Sequence, residues 1–324
     1  MHRRCFIAAL ASGISDPGKS APTNVRIRRI GFLSSGEALD RRSNDWLWSP
    51  LRKLGWVEGQ NLTIERRYAG GRAELLQAMA EDLVRIRVEL IVALGTVAAI
   101  AAKRATQTVP IVVHRAADPV AAGLVASLAR PGGNVTGTSA LGEIETKRIE
   151  LIREILPNIT RVGELTYSLN PIWQTLRKQK ESAYRSFHME PIFVDVTRAD
   201  GLESAVAETV KAGAQVLVVA TETLFRDNLK AILQAAQRLT IPVVGASASF
   251  VGTGALAGFG PSEAEYPRSL ASIVDKVLGG ANPADVPIQQ PTEFELVIDL
   301  KAAKALGVVI PQSILIRADK VLGF

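Results

Sequence analysis

RIGFL at residues 29–33 is matched later in the chain by RVGEL at residues 161–165, and this repeat indicates the fold. A second pair follows in the same order, with VPIVV at residues 109–113 and IPVVG at residues 241–245. Both pairs have a spacing of 132 residues. Ordered repeats at constant spacing indicate two structural units of one architecture.

A third pair, and the pattern around it, identify the kind of unit. LIVAL at residues 90–94 is matched by VLVVA at residues 216–220, at a spacing of 126 residues. Short apolar runs of this kind predict buried strands, and helical patterns such as residues 72–86 lie between them. We therefore predict an α/β fold with two similar Rossmann-like lobes, each built on a parallel sheet covered on both faces. In the first lobe the predicted strands are residues 30–34, 62–68, 90–94 and 111–114.

Length and composition exclude several other classes of protein. The chain has 324 residues, enough for two domains, and its 47% hydrophobic and 22% charged residues are typical of a folded globular protein. A single cysteine excludes an internal disulfide, and three histidines without a Cys/His cluster argue against a metal site. The net charge of +6 comes from scattered basic residues and aromatics are only 5%, so nucleic acid is not an expected partner. The longest apolar run, residues 90–102, is too short to span a bilayer.

The amino terminus resembles an export leader. Arg3 and Arg4 form a charged start, an apolar stretch begins at Phe6, and the RRCFI run has a twin-arginine character. Cys5 precedes the apolar stretch, so it is not the lipid-bearing cysteine of a lipoprotein leader. We predict that residues 1–27 form an atypical leader or an unstructured segment, and that the protein is exported to the periplasm. A free cytosolic terminus is the alternative.

A phosphate-loop pattern occurs in the same segment. GISDPGKS at residues 13–20 matches G-x-x-x-x-G-K-[ST] in full. Phosphate binding needs a strand before the loop and a helix after it, because the helix N-terminus and the backbone amides hold the phosphates. The next residues, APTN at 21–24, do not begin an amphipathic helix. We interpret the match as accidental and predict no nucleotide or other cofactor.

Two glycine-rich segments predict where the chain crosses between the lobes. RPGGNVTG at residues 130–137 follows the last strand of the first lobe, and GTGALAGFG at residues 252–260 follows that of the second. Glycine permits turn conformations that are closed to other residues. A third crossing is expected near residues 290–294, and an ordinary surface loop is the alternative for the first segment. The residues expected at the hinge are Gly137, Thr138, Ser139, Gly258, Phe259 and Gly260.

These crossings divide the chain into two lobes. Lobe 1 is expected to contain residues 28–137 together with about 261–289, and lobe 2 residues 138–260 together with about 290–324. In open parallel sheets, the loops at the carboxyl ends of the strands face a crevice. Two lobes hinged side by side therefore place both sets of loops on a single cleft.

The loops that follow the predicted strands carry polar side chains suited to a small ligand. Hydroxyl groups and helix N-termini suit a carboxylate or another anion, and Glu222 suits an ammonium group. Tyr167 can stack on the ligand or form a hydrogen bond with it. The alternative is that such residues only cap helices, above all Asp118, which precedes Pro119. The candidate ligand-binding residues are Ser34, Ser35, Thr96, Asp118, Tyr167, Asn170, Glu222 and Ser247.

The sequence offers little for catalysis. It contains no G-x-S-x-G elbow, and no G-x-G-x-x-G follows the first strand. His114 ends an apolar strand and is interpreted as a histidine at the edge of the core, while Glu143 and Glu145 are interpreted as solvated acids on a surface helix. A two-domain α/β enzyme would need an acid/base pair across the cleft, for which Glu222 and His114 are the candidates. We predict that the protein is not an enzyme.

Long segments of the chain resemble a known family. RRIGFLSSGEALD at residues 28–40, DPVAAGLVASLARPGGNVTG at 118–137 and QPTEFELVIDLKAAKALGVVIPQSILIRADKV at 290–321 are similar to the ABC-transporter substrate-binding family of the tryptophan/tyrosine type. The resemblance extends from about Arg28 to the carboxyl terminus. It implies the type I periplasmic-binding-protein fold, in which two lobes are joined by a hinge of several strands.

The resemblance also implies a function. A protein of this family is an exported receptor that delivers a small solute to an inner-membrane ABC permease driven by a separate ATPase, with no catalysis and no cofactor. The solute, an amino acid or a related small carboxylate, is expected to bind a monomeric receptor between lobes that close on it. In amino-acid receptors of this fold, hydroxyl loops of the first lobe hold the ligand carboxylate and an acid of the second lobe holds its ammonium, which matches Ser34, Thr96 and Glu222. An extracellular sensing module that signals to a partner protein is the alternative.

Overall fold

The computed structural model describes residues 26–38, 45–140 and 144–323. Apart from Arg26 and Ile27, the predicted leader lies outside these residues, together with Cys5, the phosphate-loop match and Glu143. No helix in the described ranges combines the length and the apolar character needed to cross a membrane.

The first sheet is formed by β1 (Arg28–Ser34), β2 (Leu62–Tyr68), β3 (Leu90–Leu94), β4 (Ile111–Ala116) and β5 (Val135–Ser139). Its five strands are all parallel and lie in the order β2-β1-β3-β4-β5. The central strands are apolar on both faces, as a parallel sheet between two layers of helices requires.

Helices cover both faces of the first sheet. They are α1 (Asp45–Lys53), α2 (Leu76–Arg85), α3 (Gly95–Ala105) and α9 (Glu265–Leu278). On one face Leu83 of α2 packs with Ile91, and on the other Ile273 of α9 packs with Phe32. The helix α9 therefore belongs to the core of the first sheet, although most of the second sheet precedes it in the chain.

The second sheet is formed by β6 (Arg161–Thr166), β7 (Glu190–Asp195), β8 (Val216–Val219), β9 (Val243–Gly245), β10 (Ala257–Pro261), β11 (Phe294–Asp299) and β12 (Lys320–Leu322). Its order is β12-β11-β10-β9-β8-β6-β7. The strands β6 to β10 repeat the order of β1 to β5, which confirms the prediction of two similar α/β lobes. One pair, β10 and β11, is antiparallel, because the chain leaves this sheet after β10 and returns through β11 in the opposite direction.

The helices that pack on the second sheet are α4 (Ile144–Ile155), α5 (Trp173–Ser186), α6 (Leu202–Lys211), α7 (Thr223–Asp227), α8 (Leu229–Arg238), α10 (Leu300–Ala305) and α11 (Gln312–Arg317). Phe225 of α7 and Ile232 of α8 pack with Leu217 on one face. Ile152 of α4 packs with Val218 on the other. Each sheet therefore has its own pair of apolar cores.

The chain passes between the sheets after β5, after β10 and before β11, and backbone hydrogen bonds join the crossing segments. The Gln289 N–H donates to the Gly137 carbonyl at 2.9 Å, and the Ser139 N–H donates to the Gln289 carbonyl at 2.9 Å. The Ser262 N–H donates to the Glu293 carbonyl at 2.9 Å. Of the residues expected at the hinge, Gly137, Thr138 and Ser139 end β5, and Gly258, Phe259 and Gly260 lie in β10.

The first turn of α10 is capped by the side chain of Asp299, and a mutation can test this contact. Asp299 accepts a hydrogen bond from the Ala302 N–H at 3.0 Å, which satisfies one of the free donors of the first helical turn. We expect Asp299→Ala to lower the free energy of unfolding by about 1 kcal/mol, measured by urea denaturation. Asp299→Asn keeps the acceptor and is expected to unfold at nearly the wild-type urea concentration. Equal unfolding of the alanine and asparagine variants would contradict this role.

Candidate functional site

A cavity of about 300 Å³ lies between the carboxyl ends of the two sheets. From the first sheet it is lined by Thr96, which follows β3, and by Arg115, near the end of β4. From the second sheet it is lined by Tyr167, which follows β6, and by Glu222, which follows β8. The volume is at the lower end of the range for small-molecule sites, and the position is where a parallel α/β sheet binds ligands.

Much of the cavity wall is aromatic or aliphatic. Trp173 is held by an edge-to-face contact with Phe193, with ring centroids 5.4 Å apart. Tyr266 reaches the cavity from α9, and its hydroxyl donates to the Ser139 carbonyl at 3.4 Å. The apolar and aromatic lining residues are Leu94, Ile144, Leu165, Tyr167, Trp173, Leu176, Phe225 and Tyr266.

Glu222 is a carboxylate that lacks a cationic partner. Its Oε1 accepts a hydrogen bond from Asn170 Nδ2 at 3.1 Å, and it forms no ion pair within the described ranges. Burial raises the pKa of Glu222, opposed by the Asn170 hydrogen bond and by the positive charge of Lys180. An uncompensated carboxylate facing a cavity suits a cationic ligand group.

The part of the wall formed by α4, α5 and β6 carries a network of charges that the protein satisfies internally. Lys180 Nζ lies 2.7 Å from Glu164 Oε1 and 3.0 Å from Glu145 Oε2. Arg148 donates to Glu145 Oε1 at 2.8 Å, and the Tyr184 hydroxyl donates to Glu164 Oε2 at 3.0 Å. The interpretation of Glu145 as a solvated surface acid holds only in part: its side chain is 42% exposed, but α4 turns it toward α5, where it pairs with Arg148 and Lys180 at the cavity wall.

His114 is buried, with 1% of its surface exposed, which agrees with its interpretation as a histidine of the core edge. Its ring lies 5.2 Å from that of Trp46 and 5.6 Å from that of Tyr266. Burial lowers the pKa of His114 well below its usual value, and the charges of Arg115 and Arg226 lower it further. The imidazole is therefore neutral at physiological pH.

Of the eight candidate ligand-binding residues, four line this cavity: Thr96, Tyr167, Asn170 and Glu222. The Thr96 hydroxyl oxygen accepts the Ala117 N–H at 2.9 Å, which leaves its own O–H as a donor. Burial, together with the charge of Glu222, raises the pKa of Tyr167 to about 12, so its hydroxyl remains protonated.

The other four candidates lie outside the cavity. The Ser34 hydroxyl accepts the Gly36 N–H at 3.1 Å, and Ser35 lines a separate cavity of about 310 Å³. Asp118 accepts the N–H groups of residues 120 and 121 at 3.1 and 2.9 Å, so it caps a turn rather than the helix that the alternative interpretation of the sequence expected. Ser247 caps the turn that follows it and donates to Glu263.

Sequence reasoning missed several cavity residues. The sequence could have identified Arg115 as a cavity residue, because it directly follows His114 at the carboxyl end of a predicted strand. Lys180 and Tyr266 lie within α5 and α9, and nothing in a helical pattern indicates which turn will face a cleft. Among the lining residues missed are Arg115, Arg148, Trp173, Lys180, Arg226 and Tyr266. The described ranges contain no group of three His, Cys, Asp or Glu residues able to hold a metal ion.

The two sides of the cleft touch beside the cavity. The Glu37 N–H donates to Asp227 Oδ2 at 3.3 Å, and Val97 of α3 packs against the core of the second sheet. A Cβ at Gly36 would lie 2.0 Å from Asp227 Oδ2 and 2.8 Å from Thr223 Cγ2, so both side chains would have to shift. The structure therefore has its two sheets drawn together around the cavity.

The fold and the cavity define a two-lobed solute-binding protein. The sequence matches the family described as ABC transporter substrate binding protein over residues 31–322, and the chain belongs to that family. Membership implies a small-molecule solute and a transporter partner, and the family is one of binding proteins. It also confirms the resemblance found in the sequence.

Individual relatives agree with this assignment. The tyrosine-binding protein of Clostridioides difficile is 28% identical over 278 residues, which are 86% of this chain and 79% of that protein. An ABC domain from Streptococcus pneumoniae, solved in complex with L-Trp, is 25% identical over 91% of this chain and 100% of that chain, with a TM-score of 0.82. The ligand-free, open structure of a substrate-binding protein with adhesive properties from Clostridium difficile is also 25% identical, over 92% of this chain and 100% of that chain, but its TM-score is 0.61.

Proposed function

We propose that the protein is the extracytoplasmic receptor of an ABC importer and that it binds an amino acid with an apolar or aromatic side chain. The observation that carries this proposal is Glu222, a carboxylate without a cation in a cavity with aromatic walls. A ligand ammonium would satisfy the carboxylate through charge-assisted hydrogen bonds. The names of the relatives, one tyrosine-binding and one in complex with L-Trp, support an aromatic side chain.

The binding mechanism that we propose is a clamshell closure. At equal sequence identity, the structure is more similar to the L-Trp complex than to the open ligand-free protein, which supports a closed state. The contacts of Glu37 with Asp227 and of Val97 with the second core would then form only on closure. A ligand shifts such an equilibrium only through its different affinity for the open and closed states.

The moving units in this proposal are the lobes predicted from the sequence. Lobe 1 comprises residues 28–137 with about 261–289, and lobe 2 comprises residues 138–260 with about 290–324. The arrangement of α9 on the first sheet supports this division. The paired segments around Gly137 and Gln289 would absorb the rotation, since a hinge is a few residues at the ends of elements.

The protein is proposed to bind its solute without altering it. His114 and Glu222 both line the cavity, but His114 is almost fully buried and neutral and Glu222 is bonded to the Asn170 amide, which supports binding without catalysis. The closed form would deliver the solute to an inner-membrane permease with a separate ATPase. The charged and apolar start of the sequence supports export to the periplasm.

A thermal-shift screen tests this function. The purified protein is heated with each of the common amino acids, with small carboxylates and with nucleosides as a control class. A ligand present at about 100 times its dissociation constant stabilises the folded state by about 2.7 kcal/mol. We expect the largest shift with L-tryptophan, L-tyrosine or another amino acid with an apolar side chain. A response to nucleosides or sugars alone, or turnover of the bound solute, would contradict the proposal.

A further inference from the structure

Four cationic side chains line the cavity, and they differ in whether a carboxylate of the protein pairs with them. They are Arg115, Arg148, Lys180 and Arg226. Lys180 and Arg148 are held by Glu164 and Glu145, and Arg148 also donates to the Phe259 carbonyl at 3.3 Å. Arg115 and Arg226 form no ion pair within the part of the chain that the structure describes. These two guanidinium groups are therefore the cations available to a ligand.

Arg115 is placed in the cavity by an irregularity of its strand. The register between β4 and β5 shifts between Val113 and Ala116, and Arg115 has a positive φ of 59°. Its N–H donates to Thr138 Oγ1 at 2.9 Å, which holds this conformation. A β-bulge redirects a side chain, and a non-glycine residue with positive φ is found where the surroundings impose it. The bulge therefore gives Arg115 an orientation that a regular strand would not.

The guanidinium of Arg115 is incompletely satisfied. Its carbon lies 4.4 Å from the centre of the Tyr266 ring, and its Nε is buried without a hydrogen-bond partner among the described residues. Leaving a buried donor of a charged group unpaired is costly, so such groups normally have an acceptor. The cation–π contact with Tyr266 covers one face of the guanidinium and leaves its edge free for an anion.

Arg226 approaches from the other lobe. It lies in α7, and its guanidinium carbon is 6.0 Å from the Trp46 ring centre, across the cleft. Burial lowers the pKa of Arg115, and the positive charge of Arg226 lowers it further, so the two cations interact unfavourably in the closed state. An anion between them would replace this repulsion by two attractive contacts, one from each lobe.

We infer that the ligand carries a carboxylate that binds between Arg115 and Arg226 and so holds the two lobes together. This inference rests on the proposed function and makes it more specific, because it assigns the carboxylate to a pair of guanidiniums rather than to the hydroxyl loops of the first lobe. Arginine matches a carboxylate through paired N–H donors. The two ends of an amino acid then lie on opposite charges, with the ammonium at Glu222.

The two ends of the ligand are not equally important. Glu222 can take up a proton and already has the Asn170 amide as a partner, so it tolerates a ligand without an ammonium group. A guanidinium does not lose its charge in a protein, so two unpaired guanidiniums that line one cavity and repel each other favour an anion. The carboxylate is therefore the essential group of the ligand.

Ligands that lack either the ammonium or the carboxylate test the relative importance of these two groups in the wild-type protein. The probes for calorimetry are L-tryptophan, indole-3-propionate, which lacks the ammonium, and tryptamine, which lacks the carboxylate; the tyrosine series gives a second set. We expect indole-3-propionate to bind within about tenfold of L-tryptophan, and tryptamine to bind at least about 100-fold more weakly. Tryptamine binding as tightly as L-tryptophan would overturn the inference.

Variants test the two residues. Arg115→Met and Arg226→Met are each expected to weaken L-tryptophan binding at least about tenfold, whereas Arg238→Met, which removes an exposed arginine paired with Glu203, leaves it unchanged. Arg115→Gln serves if the methionine variant does not fold. If both arginine variants bind normally while Glu222→Ala does not, the inference fails and the proposed function stands. If no amino acid binds but a simple carboxylate does, and its binding is weakened by Arg115→Met and Arg226→Met, the proposed amino-acid function is wrong and the carboxylate site is supported.

Discussion

Gly137→Ala is expected to lower the free energy of unfolding by at least about 3 kcal/mol, because the added methyl group has no space. A Cβ at Gly137 would lie 2.0 Å from the Val113 carbonyl oxygen and 2.6 Å from the Val113 nitrogen, and the residue has a φ of 140°. The obstacle is the backbone of β4, which pairs with β5 at this point and cannot move without losing that pairing. Urea denaturation, followed by circular dichroism, measures the effect.

The matched control is Gly133→Ala, four residues earlier in the same glycine-rich segment. Nothing lies within 4 Å of a Cβ at Gly133, and its φ is not in the left-handed region. We expect this variant to differ from the wild type by no more than about 0.5 kcal/mol. If the two alanine variants unfold at the same urea concentration, the result would contradict the lack of space between β4 and β5 at Gly137.

Glu222→Ala is expected to weaken the binding of an amino acid by about 2 kcal/mol, or roughly 30-fold, because the ligand ammonium is then left without a partner in the closed cavity. Calorimetry with L-tryptophan or L-tyrosine measures the loss. Glu181→Ala, which removes an acid that pairs with Arg177 on the surface of α5, is the control and should bind normally. Unchanged affinity in Glu222→Ala would remove this residue from the binding site.

Replacing Glu222 is expected to stabilise the unliganded protein, although it weakens ligand binding. Burial raises the pKa of Glu222, so between the usual and the raised pKa the folded chain binds more protons than the unfolded chain. Stability contributed by this group is present at low pH and is lost as the pH rises through that interval. We expect Glu222→Gln to remove the loss, so its stability relative to the wild type should increase with pH and remain higher at neutral pH. Parallel stability curves for the two proteins would contradict this.

The strands were largely predictable from local pattern. The bounds predicted for β2 and β3 are those observed. The sequence shows β3 clearly, because a central parallel strand is a continuous apolar run. The prediction for β4 stopped at His114, whereas the strand extends to Ala116. The reason is Arg115, a charged side chain that a bulge turns into the cavity and that breaks the apolar pattern.

The candidate site was predictable in part. Tyr167, Asn170 and Glu222 were found because they follow strands, and in an α/β sheet the position after a strand is enough to place a residue at the cleft. The same rule selected Ser34 and Ser247, which instead satisfy backbone groups or acids next to them. Sequence position does not distinguish a hydroxyl that faces a ligand from one that caps its own loop.

The α/β class, the duplicated lobes and the edge of the sheets at which the cavity lies could all be predicted from the sequence, since they follow from apolar runs, their order and the direction of parallel strands. Which charges of the cavity are satisfied internally, and which are not, is visible only in the folded structure. Lys180 and Arg115 are both cations in the chain, but Lys180 pairs with two carboxylates, those of Glu145 and the buried Glu164, whereas Arg115 meets an aromatic ring. The difference arises from packing between segments far apart in the sequence, and no local pattern records it.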